Sequence, residues 1–93
     1  MDQSKSSSYQ GYALVISEIL RDRREQAGMS QRVLASHVGV TPASVCYYES
    51  GKRVPSMSTL MRIKNVLGFS MRDCINIIEA ISNGEQENKN QEN

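Results

Sequence analysis

The sequence predicts an all-α protein of five helices. Apolar residues recur at three- and four-residue steps through most of the chain, which is the period of one helix face. Glycines follow the first four apolar runs, where helices commonly end, and no segment shows the alternation of a strand. With 93 residues, 39% of them hydrophobic and 5% aromatic, the chain can build one modest aliphatic core. We expect one domain over residues 9–82, between disordered polar tails at 1–8 and 83–93 that have little to bury.

The first two helices are predicted on either side of Gly28. In the first helix, the apolar side is formed by Tyr12, Val15, Ile16, Ile19 and Leu20, and the side facing away carries Glu18, Arg21, Asp22, Arg24 and Glu25. Ser30 offers a side-chain oxygen that can cap the second helix, and Gly39 ends it. The inner face of this second helix is expected to be Val33, Leu34 and Val38.

The other three helices follow from the same signals. Thr41 caps the third helix, Pro42 fits its first position, and Gly51 ends it. Of the adjacent tyrosines on this helix only one can face the core, and we expect Tyr48 inward and Tyr47 outward. Val45 also faces inward on the third helix. A fourth helix is predicted to start at Ser56 or Ser58, with its inward side formed by Leu60, Ile63, Val66 and Leu67. A fifth helix is predicted to start at Ser70, with an apolar stripe of Met71, Cys74, Ile75, Ile78 and Ile81.

The distribution of charged residues and the lack of catalytic residue combinations indicate which classes of function the sequence favours. The net charge is only +1, but residues 1–82 hold ten Lys and Arg against seven Asp and Glu, with one basic group around Arg21–Arg32 and another at Lys52 and Arg53. No nucleophile has a paired histidine and acid, so we expect no enzyme activity, no cofactor and no metal. The isolated Cys46 and Cys74 suit a reducing cytoplasm, and no apolar run is long enough to cross a membrane. Cys46 is interpreted as a small packing residue.

Residues 30–51 predict a helix-turn-helix. Two helices of about two turns are joined at Gly39, and the front of the second is small and polar. A recognition helix needs this shape because it enters a major groove roughly 12 Å wide. From Arg24 to Leu67 the sequence resembles the Xre family of helix-turn-helix regulators, the group of the lambdoid phage repressors and Cro. The matching segments are Arg24, AGMSQ at 27–31, LA at 34–35, VGVT at 38–41, YESGKRVPS at 48–56, Leu60 and IKNVLG at 63–68.

The resemblance implies which residues contact DNA. It implies that Gln31 binds a phosphate and supports the recognition helix, that Lys52 and Arg53 approach phosphates, and that Arg24 and Glu49 form a structural ion pair. The positions that face the DNA backbone and base edges are Thr41, Pro42, Ala43, Ser44 and Tyr47, with Arg32 as a further candidate from the second helix. Many relatives place Gln, Asn or Arg at base-facing positions, and the third helix of this sequence has none of these residue types there. The recognition of bases would therefore depend on contacts with thymine methyl groups, a hydroxyl group, the Tyr47 ring and the shape of the DNA.

The function expected from the sequence is that of a cytoplasmic regulator of transcription. We expect it to bind double-stranded DNA, as a repressor on a palindromic operator, and to do so as a homodimer. The candidate dimer surface is the fifth helix, with Cys74, Ile75, Ile78 and Ile81. Two alternatives stay open: an antitoxin or adaptor that binds a protein partner first and DNA second, and an interaction module that keeps the fold without binding DNA.

Overall fold

A computed structural model of the chain describes the backbone of residues 3–92 and the side chains of residues 11–84. Five helices and no strand occupy this part of the chain, so the all-α five-helix prediction is confirmed. Within the same residues, no helix combines the length and the apolar character that a membrane span requires. In chain order the helices are α1 (Gln3–Gln26), α2 (Gln31–Val38), α3 (Pro42–Ser50), α4 (Met57–Leu67) and α5 (Met71–Glu92).

Residues with hydroxyl side chains cap the N-termini of the three short helices α2, α3 and α4. Each accepts a hydrogen bond from the backbone N–H three residues later, which satisfies one of the donors left unpaired in the first helical turn. For α4 the capping residue is Ser56 and not Ser58, which settles the alternative in the sequence. The capping pairs and their O···N distances are Ser30 with Val33 at 3.1 Å, Thr41 with Ser44 at 3.1 Å and Ser56 with Thr59 at 3.2 Å.

Glycine ends α2 and α3 because the chain turns there through a left-handed backbone conformation. Gly39 has a φ of +83°, and Gly51 has a φ of +78°. A residue with a Cβ is strained at such angles, whereas glycine adopts them readily. The turn at Gly39 leaves three residues, 39–41, between the two helices. α2 and α3 therefore pack against each other.

Two buried clusters connect the helices. The first contains residues of α1, α2, α3 and α4, namely Leu20, Leu34, Ala35, Val38, Val45, Tyr48 and Ile63. The second joins α1, α4 and α5 through Ile16, Leu60 and Ile77. Phe69 packs against both clusters, so they form one continuous core. Tyr48 is buried and Tyr47 is 41% exposed, which confirms the orientation predicted for the two tyrosines.

The inner face of α2 differs from the prediction at one position. Val33 is 42% exposed, and Ala35 is buried beside Leu34 and Val38 instead. Positions 34, 35 and 38 lie on one side of a helix, and the neighbouring helix approaches closely on that side. A small side chain suits such a contact, and the position on the helix, not hydrophobicity, decides which of the two residues faces the core.

The apolar stripe predicted for α5 is divided between two sides of the helix. Asp73 and Ile77 are buried against the other helices, whereas Ile75 and Ile78 are 46% and 62% exposed. The buried pair lies one helical turn apart, which places both residues on the side that faces α1. Ile77, which the predicted stripe omits, is thus the core residue of α5.

Asp73 fixes the start of α5 against α1, a contact that the sequence does not predict. Its carboxylate accepts two hydrogen bonds from Arg23, from Nε at 2.7 Å and from a terminal nitrogen at 2.9 Å. Ser70 and Asp73 also cap each other: Asp73 N donates to Ser70 Oγ at 3.1 Å, and Ser70 N donates to Asp73 Oδ2 at 3.0 Å. These hydrogen bonds, that of Arg23 above all, lower the pKa of Asp73 from 3.8 to about 2 although burial opposes the shift.

Both terminal helices extend into the segments for which the sequence predicts disordered tails. α1 begins at Gln3 and α5 continues to Glu92, so residues 3–8 and 83–92 have helical backbone. Neither segment contains proline, and residues 83–92 include three Glu and two Gln, which are good helix formers.

Candidate nucleic-acid interface

The end of α3 is held in place by a buried carboxylate. Glu49 is only 3% exposed, and its Oε2 accepts Arg24 Nε at 2.6 Å. Its Oε1 accepts a second nitrogen of Arg24 at 3.0 Å and Gln31 Nε2, also at 3.0 Å. Arg24 in addition donates to the carbonyl oxygen of Met29 at 2.7 Å. One charge-assisted network thus connects α1, the start of α2 and the end of α3.

This network brings together three of the residues singled out in the sequence. Arg24 and Glu49 form a two-pronged ion pair, and Gln31 is hydrogen-bonded to the same carboxylate. The hydrogen bond to Glu49 raises the pKa of Arg24, although burial opposes the shift. Gln31 is half-buried, and its amide nitrogen donates one hydrogen bond to Glu49, which supports α3 from the side of α2.

Two further arginines donate hydrogen bonds to backbone carbonyl groups at the C-terminal ends of α2 and α3. Arg21 donates to the carbonyl oxygen of Glu49 at 2.7 Å, and Arg62 donates to the carbonyl oxygen of Val38 at 3.0 Å. The last carbonyl groups of a helix lack partners within the helix and carry partial negative charge, so a guanidinium is favourable there. Sequence reasoning missed Arg62, because its partner lies 24 positions away and no local pattern marks it.

The outward side of α3 presents small and medium side chains. Pro42, Ala43, Cys46 and Tyr47 are exposed, and Ala43 and Tyr47 lie one turn apart on one face. Ser44 is half-buried, and its hydroxyl oxygen accepts a hydrogen bond from Thr41 Oγ1 at 3.0 Å. Two of the predicted DNA-contacting hydroxyls therefore also serve the helix cap.

Cys46 corrects a prediction. The sequence places it as a small packing residue, but the structure shows a free, exposed cysteine on α3. The buried positions of this helix are Val45, Tyr48 and Glu49, and Cys46 lies beside this buried side but outside it. Cys46 thus shares the outward surface with Ala43 and Tyr47.

The loop after α3 carries the second basic group. Lys52 and Arg53 are exposed, and their backbone N–H groups donate to the carbonyl oxygen of Tyr47 at 3.0 and 3.3 Å. The guanidinium of Arg53 lies over the Tyr47 ring, 5.4 Å from its centre. Among the side chains that the structure describes, neither base is paired with a carboxylate. Both charges are therefore available to an external partner.

The basic surface differs in composition from the one expected. Arg23 and Arg24 each form an ion pair, with Asp73 and Glu49, so they add little free charge to the first basic group. Most of the remaining bases lie in the middle of the chain. Residues 26–72 contain a single acid, the buried Glu49, and six bases, which are Arg32, Lys52, Arg53, Arg62, Lys64 and Arg72.

Three of the four candidate dimer residues of α5, namely Cys74, Ile78 and Ile81, line an apolar groove. Ile75 and Ile78 are exposed, while Cys74 and Ile81 are half-buried. The groove lies between α4 and α5, has a volume of about 200 Å³, and exposes only apolar atoms. Its lining includes Met57, Leu60, Met61, Phe69, Ile77 and Ile78.

The helix-turn-helix geometry agrees with a comparison against protein families. The family described as a helix-turn-helix domain matches residues 16–73, which is more than half of the chain. The chain belongs to the helix-turn-helix domain family. The matched segment starts within α1 and ends at Asp73, so it includes the Glu49 network, α3 and the basic loop. The family predicted from the sequence is thereby confirmed.

Individual relatives show the same domain in different proteins. The chain is 35% identical over 57 residues to the uncharacterized HTH-type transcriptional regulator YqaE of Bacillus subtilis, covering 61% of this chain and 49% of that protein. It is 24% identical over 70 residues to an endothelial differentiation-related factor 1 homolog of Danio rerio, covering 75% and 48%. It is 40% identical over 72 residues to the (S)-2-hydroxypropylphosphonic acid epoxidase of Streptomyces wedmorensis, covering 76% and 34%.

A solved structure shows the same backbone arrangement. The crystal structure of FeII HppE in complex with substrate matches with a TM-score of 0.59 and 39% identity, over 66% of this chain and 36% of that one. The chain spans between about a third and a half of the length of the relatives it matches. What it shares with them is a domain and not the whole protein.

Proposed function

We propose that the chain is a DNA-binding regulator of transcription whose α3 enters the major groove. The observation that carries the proposal is the combination of a small, uncharged outward face on α3 with basic residues around it. The major groove is wide enough to admit a helix whose outward side chains reach the base edges, and phosphates attract the bases beside it. The membership in the helix-turn-helix family and the similarity to a transcriptional regulator support this reading.

In this proposal each exposed group has a defined role. Ala43 contacts the methyl group of a thymine, and Tyr47 contacts a neighbouring base pair through its ring or hydroxyl. Thr41 and the N–H groups at the start of α3 hold a phosphate, with Pro42 and Ser44 beside the backbone. Phosphates are also neutralised by Arg32, Lys52 and Arg53, and Gln31 supports α3 through Glu49 while its amide edge approaches a phosphate.

We propose further that the protein acts as a cytoplasmic repressor on a palindromic operator, as a homodimer. A single module makes few base contacts, and a twofold pair doubles them at a half-site spacing of about one helical turn. Ile78, which is exposed in the apolar groove, and Ile75, which is exposed on the same helix, supply a surface that a second copy can cover. The same apolar surface also favours the second candidate function, an adaptor that binds a different protein there.

Selection of bound sequences from random DNA duplexes tests the proposal. A palindromic consensus with two equal half-sites is the expected result, and recovery of no enriched sequence contradicts sequence-specific binding. The stoichiometry of the complex on the selected duplex then separates a homodimer from a single copy. If the chain instead co-elutes with a different protein through α5 and binds no duplex, the adaptor function is favoured.

The salt dependence of binding tests the role of the basic loop. Lys52→Ala should lower the slope of log affinity against log salt by about 0.9, because one phosphate contact and its released counterion are lost. Arg72→Ala is the matched control, since it removes an exposed base outside the helix-turn-helix and should leave the slope unchanged. Equal slopes for wild type and Lys52→Ala would exclude Lys52 from the interface.

A further inference from the structure

Tyr47 and Arg53 are in contact with each other on the proposed DNA-binding side. The guanidinium of Arg53 lies 5.4 Å from the centre of the Tyr47 ring, within the distance of about 6 Å at which a cation is attracted to a ring face. Both side chains are exposed. Two residues that the sequence predicts as separate DNA contacts are therefore paired in the free protein.

The backbone of the loop produces this contact. Gly51 adopts a left-handed conformation, and the N–H groups of Lys52 and Arg53 then both reach the carbonyl oxygen of Tyr47. The hydroxyl of Ser50 donates to the same oxygen at 3.1 Å. Arg53 is thus folded back towards Tyr47 by hydrogen bonds that do not involve its side chain. Lys52 has the same backbone partner, but among the described residues it stacks on no ring.

We infer that Arg53 is a positioning residue that holds the Tyr47 ring for the readout of one base pair in each half-site, whereas Lys52 only neutralises phosphate charge. The inference rests on the proposed function and deepens it. Tyr47 is the largest outward side chain of α3, and Ala43 offers only a methyl group. A ring discriminates between base pairs better when its orientation is restrained, and a guanidinium that lies over its face, 5.4 Å from its centre, supplies such a restraint.

Arg53→Lys separates positioning from charge, because lysine keeps the positive charge and loses the planar stacking group. We would titrate wild type, Arg53→Lys and Lys52→Ala against the selected operator and its single-base variants. Arg53→Lys should keep the salt slope and reduce discrimination at one base pair per half-site by about 2- to 5-fold. Lys52→Ala should instead weaken binding to every variant by the same factor.

A double-mutant cycle tests whether the effect acts through Tyr47. In the Tyr47→Ala background, Arg53→Lys should change discrimination no further, since the ring that it positions is absent. A full additional loss in that background, or unchanged discrimination by Arg53→Lys alone, would overturn the inference. Tyr47 is exposed, so Tyr47→Ala should fold, and circular dichroism verifies this.

The contact itself can be measured without DNA. A ring face shields the protons beside it, so the NMR signals of the Arg53 δ-methylene group should shift downfield on Tyr47→Ala and stay unchanged on Lys52→Ala. Absence of that shift overturns the pairing. If the NMR shift is present but the wild-type protein binds no duplex, the proposed function is wrong. The readout role of Arg53 is then wrong too, because it depends on DNA binding. If wild type binds and Arg53→Lys discriminates like wild type, only the positioning role fails.

Discussion

The carboxylate of Glu49 joins three segments that are distant in the sequence. It is almost inaccessible to solvent, and its two oxygens accept three hydrogen bonds from Arg24 and Gln31. Burying a carboxylate costs free energy unless such partners are present, so the network is favourable only when complete. The orientation of α3, which the proposed readout requires, therefore depends on a residue that does not lie on the outward face.

Removal of either member of the ion pair should destabilise the protein. We expect Arg24→Ala and Glu49→Ala each to lower the free energy of unfolding by about 3 kcal/mol, because each leaves a polar group buried without its main partner. The double variant should cost less than the sum of the two, since it leaves no orphaned charge. Urea unfolding of all four proteins measures this. Additive effects, within about 0.5 kcal/mol, would show that the two residues are not coupled.

Asp73 gives the stability a dependence on pH. Its pKa of about 2 in the folded protein lies below the ordinary value of 3.8, so the folded state favours the ionised carboxylate. This contribution is complete above about pH 4 and is lost as the pH falls towards 2. It amounts to about 1 to 2 kcal/mol after allowance for the solvent around the half-buried Arg23.

Asp73→Asn should therefore be less stable than wild type at pH 7 by that amount, and the difference should shrink between pH 4 and pH 2. Denaturant unfolding at several pH values measures it. Glu79→Gln is the matched control, because it removes an exposed carboxylate of the same helix. A stability difference that does not change with pH would show that the Arg23 contact is not what Asp73 contributes.

The short helices could be predicted from the sequence because their signals are local. Ser30 and Thr41 lie directly before the helices that they cap, and Gly39 and Gly51 lie where the backbone becomes left-handed. The physics of these boundaries involves residues at most a few positions apart. The Arg24–Glu49 pair spans 25 positions and was predicted from the resemblance to a family, which carries tertiary information that a local pattern lacks.

α5 shows where a local pattern fails. Isoleucines stand at 75, 77, 78 and 81, so more than one side of this helix is apolar, and periodicity cannot tell which side meets the core. The structure selects the side of Ile77 because Arg23 on α1 fixes Asp73 one turn earlier, across 50 positions of sequence. The contact of Arg53 with Tyr47 is likewise a product of the loop backbone and not of residue spacing.

The division of α5 into two apolar sides leaves the assembled domain with a surface that a single copy does not cover. Ile78 is exposed in the apolar groove between α5 and α4, where Met57 and Met61 are 66% and 51% exposed. Ile75 is exposed on the same helix. A contiguous apolar patch on a small protein commonly marks an interaction site. A twofold axis through this patch would pair it with itself.

Ile78→Glu tests the homodimer because it places a charge within that patch. Ile78 is 62% exposed, so the variant should remain folded by circular dichroism, while sedimentation should show a monomer and affinity for the selected palindrome should fall at least 10-fold. Asn76→Glu, which adds the same charge at another exposed position of α5, should remain dimeric. Ile77→Glu marks the opposite limit: Ile77 is buried, so a charge there should unfold the domain. A folded, dimeric Ile78→Glu protein with wild-type affinity would place the dimer contact elsewhere.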